Sequence, residues 1–78
     1  MNKIDKNRYI QLGLKISYYR KLNKLTQEEL AEKIDRSHGF IGQVEAPNIV
    51  MPISLDTLFR IADVCRIMPH KLLDFDDV

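Results

Sequence analysis

Near the middle of the chain, two short segments with helical periodicity are joined by a turn of about three residues. Thr26 followed by Glu29 is a capping box, because each side chain can accept a backbone N–H at a helix start, and it predicts a helix from Gln27 to about Ile34. Ser37 is expected to cap a second helix that ends near Glu45. Helices this short are unstable alone, so the rest of the chain must pack around them.

A long first helix is predicted from Asp5 or Lys6 to about Leu22. Apolar residues recur on one face of it at intervals of three and four, namely Tyr9, Leu12, Ile16 and Tyr19. Gly13 lies inside this helix, where glycine costs about 1 kcal/mol relative to alanine, and indicates close packing against a neighbour. Gly39 and Gly42 weaken the second helix of the pair in the same way, so packing or a partner must hold that helix.

Two shorter helices are predicted to complete the fold. One is capped by Ser54, ends near Cys65 and turns one face inward, namely Leu55, Leu58, Ile61 and Ala62. The other opens at Pro69 and carries Leu72 and Leu73. The stretch richest in β-branched residues, 48–54, contains Pro52, so no strand is predicted. The expected architecture is all-α, with five helices in a single domain over residues 1–78.

The charge is distributed unevenly along the chain. The formal net charge is only +1, but the first 24 residues carry seven Lys or Arg against Asp5, a net +6, and the remainder carries −5. A basic segment of this kind is compatible with a polyanionic partner such as nucleic acid, although charged surfaces are more often simply solvated.

The residue inventory argues against catalysis and against a metal site. His38, His70 and Cys65 lie on separate predicted helices without the spacing of a metal motif, and no nucleophile dyad or phosphate-binding glycine loop is present. Cys65 is interpreted as a buried, inert thiol. No apolar run is long enough to cross a membrane, and the N-terminus lacks the apolar segment of a secretory signal. We expect a cytoplasmic protein with no cofactor, no small-molecule substrate and no membrane partner.

Two stretches carry a resemblance to a known family: RKLNKLTQEELAEKIDRSHGFIGQVE and, later, SLDTLFRIADVCRIMPHKLL. In this order and spacing they resemble the phage-repressor (Xre/Cro) helix-turn-helix family, with the helix-turn-helix unit at about residues 26–45. The resemblance implies a lambda-repressor-like DNA-binding domain. It also implies that the third helix enters the major groove of an operator and that the protein acts as a homodimer.

The resemblance also implies which residues read bases. They lie at the N-terminus and on the exposed face of the third helix, namely His38, Gly39, Gly42 and Gln43. Gln43 is the strongest candidate, since a glutamine amide can pair with adenine through two hydrogen bonds. His38 could donate to guanine or to phosphate, or it could simply be solvated. The two glycines read nothing by side chain, but they could allow close approach to the groove or recognition by shape.

A second set of residues is expected to contact phosphate. It comprises Gln27, Ser37, Lys21, Lys24, Arg36 and Asn48. The family assigns to Gln27 both a phosphate contact and the bracing of a base-reading side chain, and the alternative is a purely structural polar residue at the helix entry. Lys21 and Lys24 are expected to substitute for a loop that is less basic here than is usual in the family.

Arg20 and Glu45 match a structural ion pair of the family, which would fix the orientation of the first and third helices. The chain departs from the family pattern in the turn, where Asp35 and Arg36 replace a glycine and an apolar residue. Aspartate tolerates the left-handed conformation that the turn needs. Arg36 could extend toward phosphate or acidic neighbours, or it could be solvated. The loop 46–53 is about two residues longer than usual, and its apolar residues 49–51 could pack on the core or on a partner.

These observations favour a sequence-specific DNA-binding transcriptional regulator, a repressor of bacterial or phage type, that binds double-stranded DNA as a homodimer. The C-terminal helices or the loop would form the dimer interface, with Phe59, Met68 and Phe75 as exposed candidates. The alternative is a protein-interaction or antitoxin-like module that keeps the fold with weak or no DNA readout. The near-zero net charge, the two glycines and the non-basic loop support that alternative.

Overall fold

In a computed structural model, which describes residues 1–76, the chain folds into four α-helices followed by a 3₁₀ helix. The α-helices are α1 (Lys3–Leu22), α2 (Gln27–Lys33), α3 (Gly39–Glu45) and α4 (Leu55–Cys65), and the 3₁₀ helix is Pro69–Leu73. No strand occurs among these 76 residues. The all-α expectation is therefore confirmed, and the fifth element is a tighter 3₁₀ turn instead of an α-helix.

α1 begins at Lys3, slightly earlier than the sequence predicts, because Asn2 supplies the cap. The Asn2 side chain accepts a hydrogen bond from the backbone N–H of Asp5 at 2.9 Å. Leu12 and Ile16 of the predicted stripe are buried, whereas Tyr9 and Tyr19 are half-buried and pack against the edge of the core. The helix is thus anchored along most of its length.

The close approach predicted from Gly13 lies between α1 and α3. A Cβ atom built on Gly13 would overlap the carbonyl oxygen of Val44. Only glycine allows the backbones of the two helices to come this near. This contact sets how deeply α3 sits against the long helix.

α2 begins as the sequence predicts. Thr26 Oγ1 accepts from the backbone N–H of Glu29 at 3.0 Å, and Glu29 Oε1 accepts from the N–H of Thr26 at 2.8 Å. These hydrogen bonds lower the pKa of Glu29 below its ordinary value, chiefly through the backbone N–H of Thr26. The helix ends one residue early, with Ile34 as its C-cap, and Asp35 follows with φ of 60°, the left-handed conformation expected of it.

The predicted start of α3 is wrong. Ser37 does not cap the helix, which begins at Gly39, and His38 occupies the cap position with helical dihedrals and no side-chain capping bond. Ser37 contributes only its backbone carbonyl, which accepts from the N–H of Phe40 at 3.0 Å. A tight backbone turn therefore replaces the expected side-chain cap.

α4 has the predicted cap but not the predicted inner face. Ser54 Oγ accepts from the N–H of Thr57 at 3.1 Å, and Leu58, Ile61, Ala62 and Cys65 are buried. Leu55, expected inside, is 65% exposed because it lies at the first helical position, beyond the edge of the core. Burial raises the pKa of the Cys65 thiol, in line with an inert role.

The C-terminal segment packs against α1 and α4 and completes the core. Leu72 is fully buried, whereas Leu73 is 49% exposed. Phe75, expected to be exposed, is half-buried and packs against the core, so it is not an open surface residue. Of the acidic tail, Asp74 and Asp76 are exposed, and Asp77 lies outside the described residues. Within residues 1–76, no helix combines the length and the apolar character needed to cross a membrane.

Candidate nucleic-acid interface

α3 has a buried side and a solvent-exposed side. Phe40, Ile41 and Val44 are at most 8% exposed and hold the helix against the core. Gln43 and Gly39 are exposed on the opposite side, and the His38 side chain just before the helix is 62% exposed. Gly42 is half-buried. One side of this short helix is therefore exposed to solvent, and its other side is packed on the core.

Behind this face, a buried ion pair ties α3 to α1. Arg20 donates through Nε to Glu45 Oε2 at 2.7 Å and through Nη2 to Oε1 at 2.9 Å. The side chains of Arg20 and Glu45 are only 9% and 6% exposed. The remaining guanidinium nitrogen donates to the carbonyl of Leu25 at 2.7 Å, a partner that no sequence motif indicates. The hydrogen bond with Glu45 raises the pKa of Arg20, so the guanidinium stays charged.

The same carboxylate also holds Gln27. Glu45 Oε1 accepts from Gln27 Nε2 at 3.0 Å, which joins the first residue of α2 to the last residue of α3. The other side of the Gln27 amide rests on Gly42, where an added Cβ would lie 3.3 Å from Gln27 Oε1. Gln27 is therefore oriented by Glu45 and Gly42, and it does not bond to the base-reading candidate Gln43. An amide nitrogen carries two N–H donors, so the hydrogen bond to Glu45 uses one of the two donors of Gln27.

His38 is engaged by acidic residues of α2. Its Nε2 lies 2.9 Å from Glu32 Oε1, and its Nδ1 lies 4.0 Å from Glu28 Oε2. Both carboxylates are more than 60% exposed, so the contact is easily exchanged for another partner. Sequence reasoning missed these two glutamates, because they lie six and ten residues before His38 on another helix and only the turn brings them together.

The glycines of α3 differ in their surroundings. A Cβ on Gly39 would meet nothing within 4 Å, whereas a Cβ on Gly42 would press on Gln27. Gly39 thus leaves open space at the start of the helix, where a groove wall could approach the backbone. Gly42 instead makes room for the protein's own side chain.

The candidate phosphate ligands differ in their surroundings. Lys21 and Lys24 are exposed, with Lys24 in a left-handed turn at φ of 58°. The Arg36 guanidinium stacks on the Phe40 ring, 3.9 Å from its centroid, and its Nη1 lies 3.5 Å from Thr57 Oγ1. Arg36 is exposed to solvent, and cation–π stacking on Phe40 gives its guanidinium a defined position.

The remaining two phosphate candidates, Ser37 and Asn48, are exposed in the turn before α3 and in the loop after it. In that loop, Met51 and Ile53 pack against the core, whereas Ile49 is 43% exposed. The loop is therefore anchored by its second half, and its first half is open to a partner.

In residues 1–76, no three His, Cys, Asp or Glu side chains are grouped so as to hold a metal ion. Comparisons with curated proteins and with solved structures found no match. A helix-turn-helix family model, however, matches residues 16–72, which include the C-terminal part of α1, the α2–α3 unit, α4 and most of the 3₁₀ helix. The chain therefore belongs to the Xre/Cro-type helix-turn-helix family of DNA-binding transcription regulators, whose domain is normally non-enzymatic.

Proposed function

We propose that this protein is a sequence-specific repressor that inserts α3 into the major groove of its operator. The supporting observation is the exposed outer face of α3, backed by three buried side chains, because a major groove admits one α-helix and reads its protruding polar groups. Gln43 is the proposed adenine reader. His38, which would exchange Glu32 for a base or a phosphate, and the open backbone at Gly39 complete the reading surface, and Gly42 beside them makes room for the Gln27 amide.

Phosphate contacts would hold α3 in register. Gln27, with one amide N–H not used by Glu45, and Ser37 lie at the entries of the two helices. Lys21, Lys24, Arg36 and Asn48 would complete the set, and the basic first 24 residues would attract the duplex. Such a regulator works in the compartment that holds its DNA, which for a bacterial or phage protein is the cytoplasm.

A homodimer would place two copies of α3 about one helical turn, roughly 34 Å, apart on a palindromic site. Phe59, on α4, and Met68, after it, are 47% and 64% exposed and are the proposed contact residues. Ile49, in the loop before α4, is 43% exposed and is a further candidate contact residue. A dimer bound across a promoter would repress by occlusion.

The base-reading proposal is tested by selecting an operator from random duplexes and then measuring affinities by fluorescence anisotropy. Gln43→Ala should lose about 1–3 kcal/mol of discrimination at a single A·T position. Asn7→Ala, another exposed amide but on α1, is the matched control and should bind like the wild type. If Gln43→Ala retains full affinity and base preference, the assignment of Gln43 is wrong.

The phosphate proposal is tested by salt dependence. Each of Lys21→Ala and Lys24→Ala should reduce the slope of log affinity against log salt by about 1, because one fewer counterion is released. Lys71→Ala, an exposed lysine on the 3₁₀ helix, serves as the control. Equal slopes for all three variants and the wild type would remove these lysines from the interface.

One observation favours the alternative of a protein-interaction module. α3 contains no Lys or Arg, and Glu28 and Glu32 stand beside its N-terminus, where they repel phosphate. Under this alternative, the protein shows no binding to mixed-sequence DNA even at low salt. Salt-dependent binding to the same DNA would exclude it.

A further inference from the structure

Two carboxylates of α2 lie beside the histidine that precedes α3. Glu32 Oε1 is 2.9 Å from His38 Nε2, and Glu28 Oε2 is 4.0 Å from His38 Nδ1. We call these three residues the His38 cluster. All three side chains are more than 60% exposed, so a duplex that reached the start of α3 in the proposed mode of binding would meet the whole cluster.

The other charged groups on the surrounding elements make separate contacts. They are Glu29 and Lys33 on α2, Asp35 and Arg36 in the turn, Glu45 on α3, and Asp56 and Arg60 on α4. All except Asp35 are engaged in the capping box, in the stack on Phe40, in the buried pair with Arg20 or in the pair on α4. Among residues 1–76, His38 is therefore the group within 4.0 Å of the Glu28 and Glu32 carboxylates that can become a cation.

The charge of the His38 cluster depends on one proton. Histidine changes its charge in the neutral pH range, near about pH 6.5 in an unperturbed side chain. With each carboxylate at −1, protonation of the imidazole changes the charge of the cluster from −2 to −1. A neutral imidazole has one N–H to donate, whereas an imidazolium has two. α3 itself carries no Lys or Arg that could offset the two carboxylates.

We propose that DNA binding by this protein takes up a proton at His38, so that affinity for DNA rises as the pH falls through the range in which histidine titrates. Phosphates that approach the cluster add negative charge around the imidazole, and negative charge favours its protonated form. The imidazolium would then pass from Glu32 to a phosphate or a base while its second N–H remains available to Glu28. This inference rests on the proposed function and adds pH as a regulator of the same site.

The test measures affinity for the selected operator by fluorescence anisotropy at several pH values from about 8 to about 6, at constant ionic strength. The affinity of the wild type should rise by about threefold to tenfold over this range, since uptake of one proton allows at most about tenfold per pH unit. In His38→Gln, which keeps a side-chain N–H donor, the affinity should vary by less than about twofold.

His70→Gln is the matched control. His70 is the other histidine of the chain, and it lies exposed on the 3₁₀ helix, outside the helix-turn-helix unit. This variant should keep the pH dependence of the wild type. His38 makes no side-chain capping bond, so its replacement should leave α3 folded, and thermal melts at the two extreme pH values check both variants.

The double variant Glu28→Gln with Glu32→Gln locates the proton. If the pH dependence survives in His38→Gln but disappears in this double variant, the carboxylates take up the proton and the proposal is overturned. It is also overturned if His70→Gln abolishes the dependence. Operator binding that does not change with pH overturns this inference alone and leaves the proposed function standing. Failure to bind any duplex at low salt, at every pH, overturns both.

Discussion

Replacement of Glu45 by glutamine should destabilise the protein by about 3–5 kcal/mol, because it leaves the buried Arg20 without its counter-charge. The carboxylate accepts two hydrogen bonds from Arg20 and one from Gln27, all between 2.7 and 3.0 Å, with both charged side chains less than 10% exposed. Arg20 cannot relieve the loss by releasing its proton, because a guanidinium stays protonated at any pH at which the protein is folded.

That loss is large for a chain of this size. At roughly 0.05–0.15 kcal/mol per residue, the free energy of unfolding of a 78-residue chain is about 4–12 kcal/mol in total. At about 4–8 °C per kcal/mol, the melting temperature of Glu45→Gln should fall by more than ~12 °C.

Urea unfolding followed by circular dichroism measures the change, with Asp56→Asn as the control. Asp56 pairs with Arg60 at 3.3 Å, but their side chains are 75% and 53% exposed, so this variant should lose less than about 1 kcal/mol. A double variant, Arg20→Met with Glu45→Met, should recover much of the stability, because neither charge remains buried. If Glu45→Gln costs no more than Asp56→Asn, the buried pair does not hold α3 and the reasoning fails.

Two further predictions concern the helix contacts and the cap. In a thermal melt, Gly13→Ala should lower the free energy of unfolding by about 1–3 kcal/mol, because its Cβ would overlap the Val44 carbonyl. This overlap outweighs the helix-propensity gain of about 1 kcal/mol. A more stable variant would show that α1 and α3 can separate freely. The lowered pKa of Glu29 contributes stability that is fully present above the ordinary pKa of 4.5 and is lost as the pH falls through the lowered pKa. Glu29→Gln should therefore flatten the decline of the urea unfolding midpoint between about pH 5 and pH 3. An unchanged decline would refute the role of the capping box.

Local signals in the sequence predicted the helix entries that depend on neighbouring residues. The Thr26 and Ser54 caps each involve side chains within three positions, and Leu30, Ala31 and Ile34 share a face at helical spacing and are all buried. Such features need no knowledge of the rest of the fold. The all-α architecture follows from them because no segment alternates as a strand does.

The errors arose where tertiary packing decides. Ser37 looks like a cap, but the backbone turn takes the next residue, His38, into a helical conformation and moves the start of α3 to Gly39. Leu55 has the period of the buried face of α4, yet the core ends before its first turn. The bonds of His38 to Glu32 and of Arg20 to the Leu25 carbonyl depend on how two elements meet, which no local pattern specifies.

The inner and outer faces of α3 are coupled at one position only. Gly39 faces open space, and Gln43 and His38 extend into solvent, so changes at these three positions leave the buried pair untouched. Gly42 differs, because a side chain there would push the Gln27 amide that Glu45 holds. Substitutions at Gly39, Gln43 and His38 should therefore leave the packing of α3 unchanged, whereas a side chain at Gly42 disturbs the anchor of α3 through Gln27. Under the proposed mode of DNA binding, Gly42 is therefore the position at which recognition by α3 and the stability of the fold are joined.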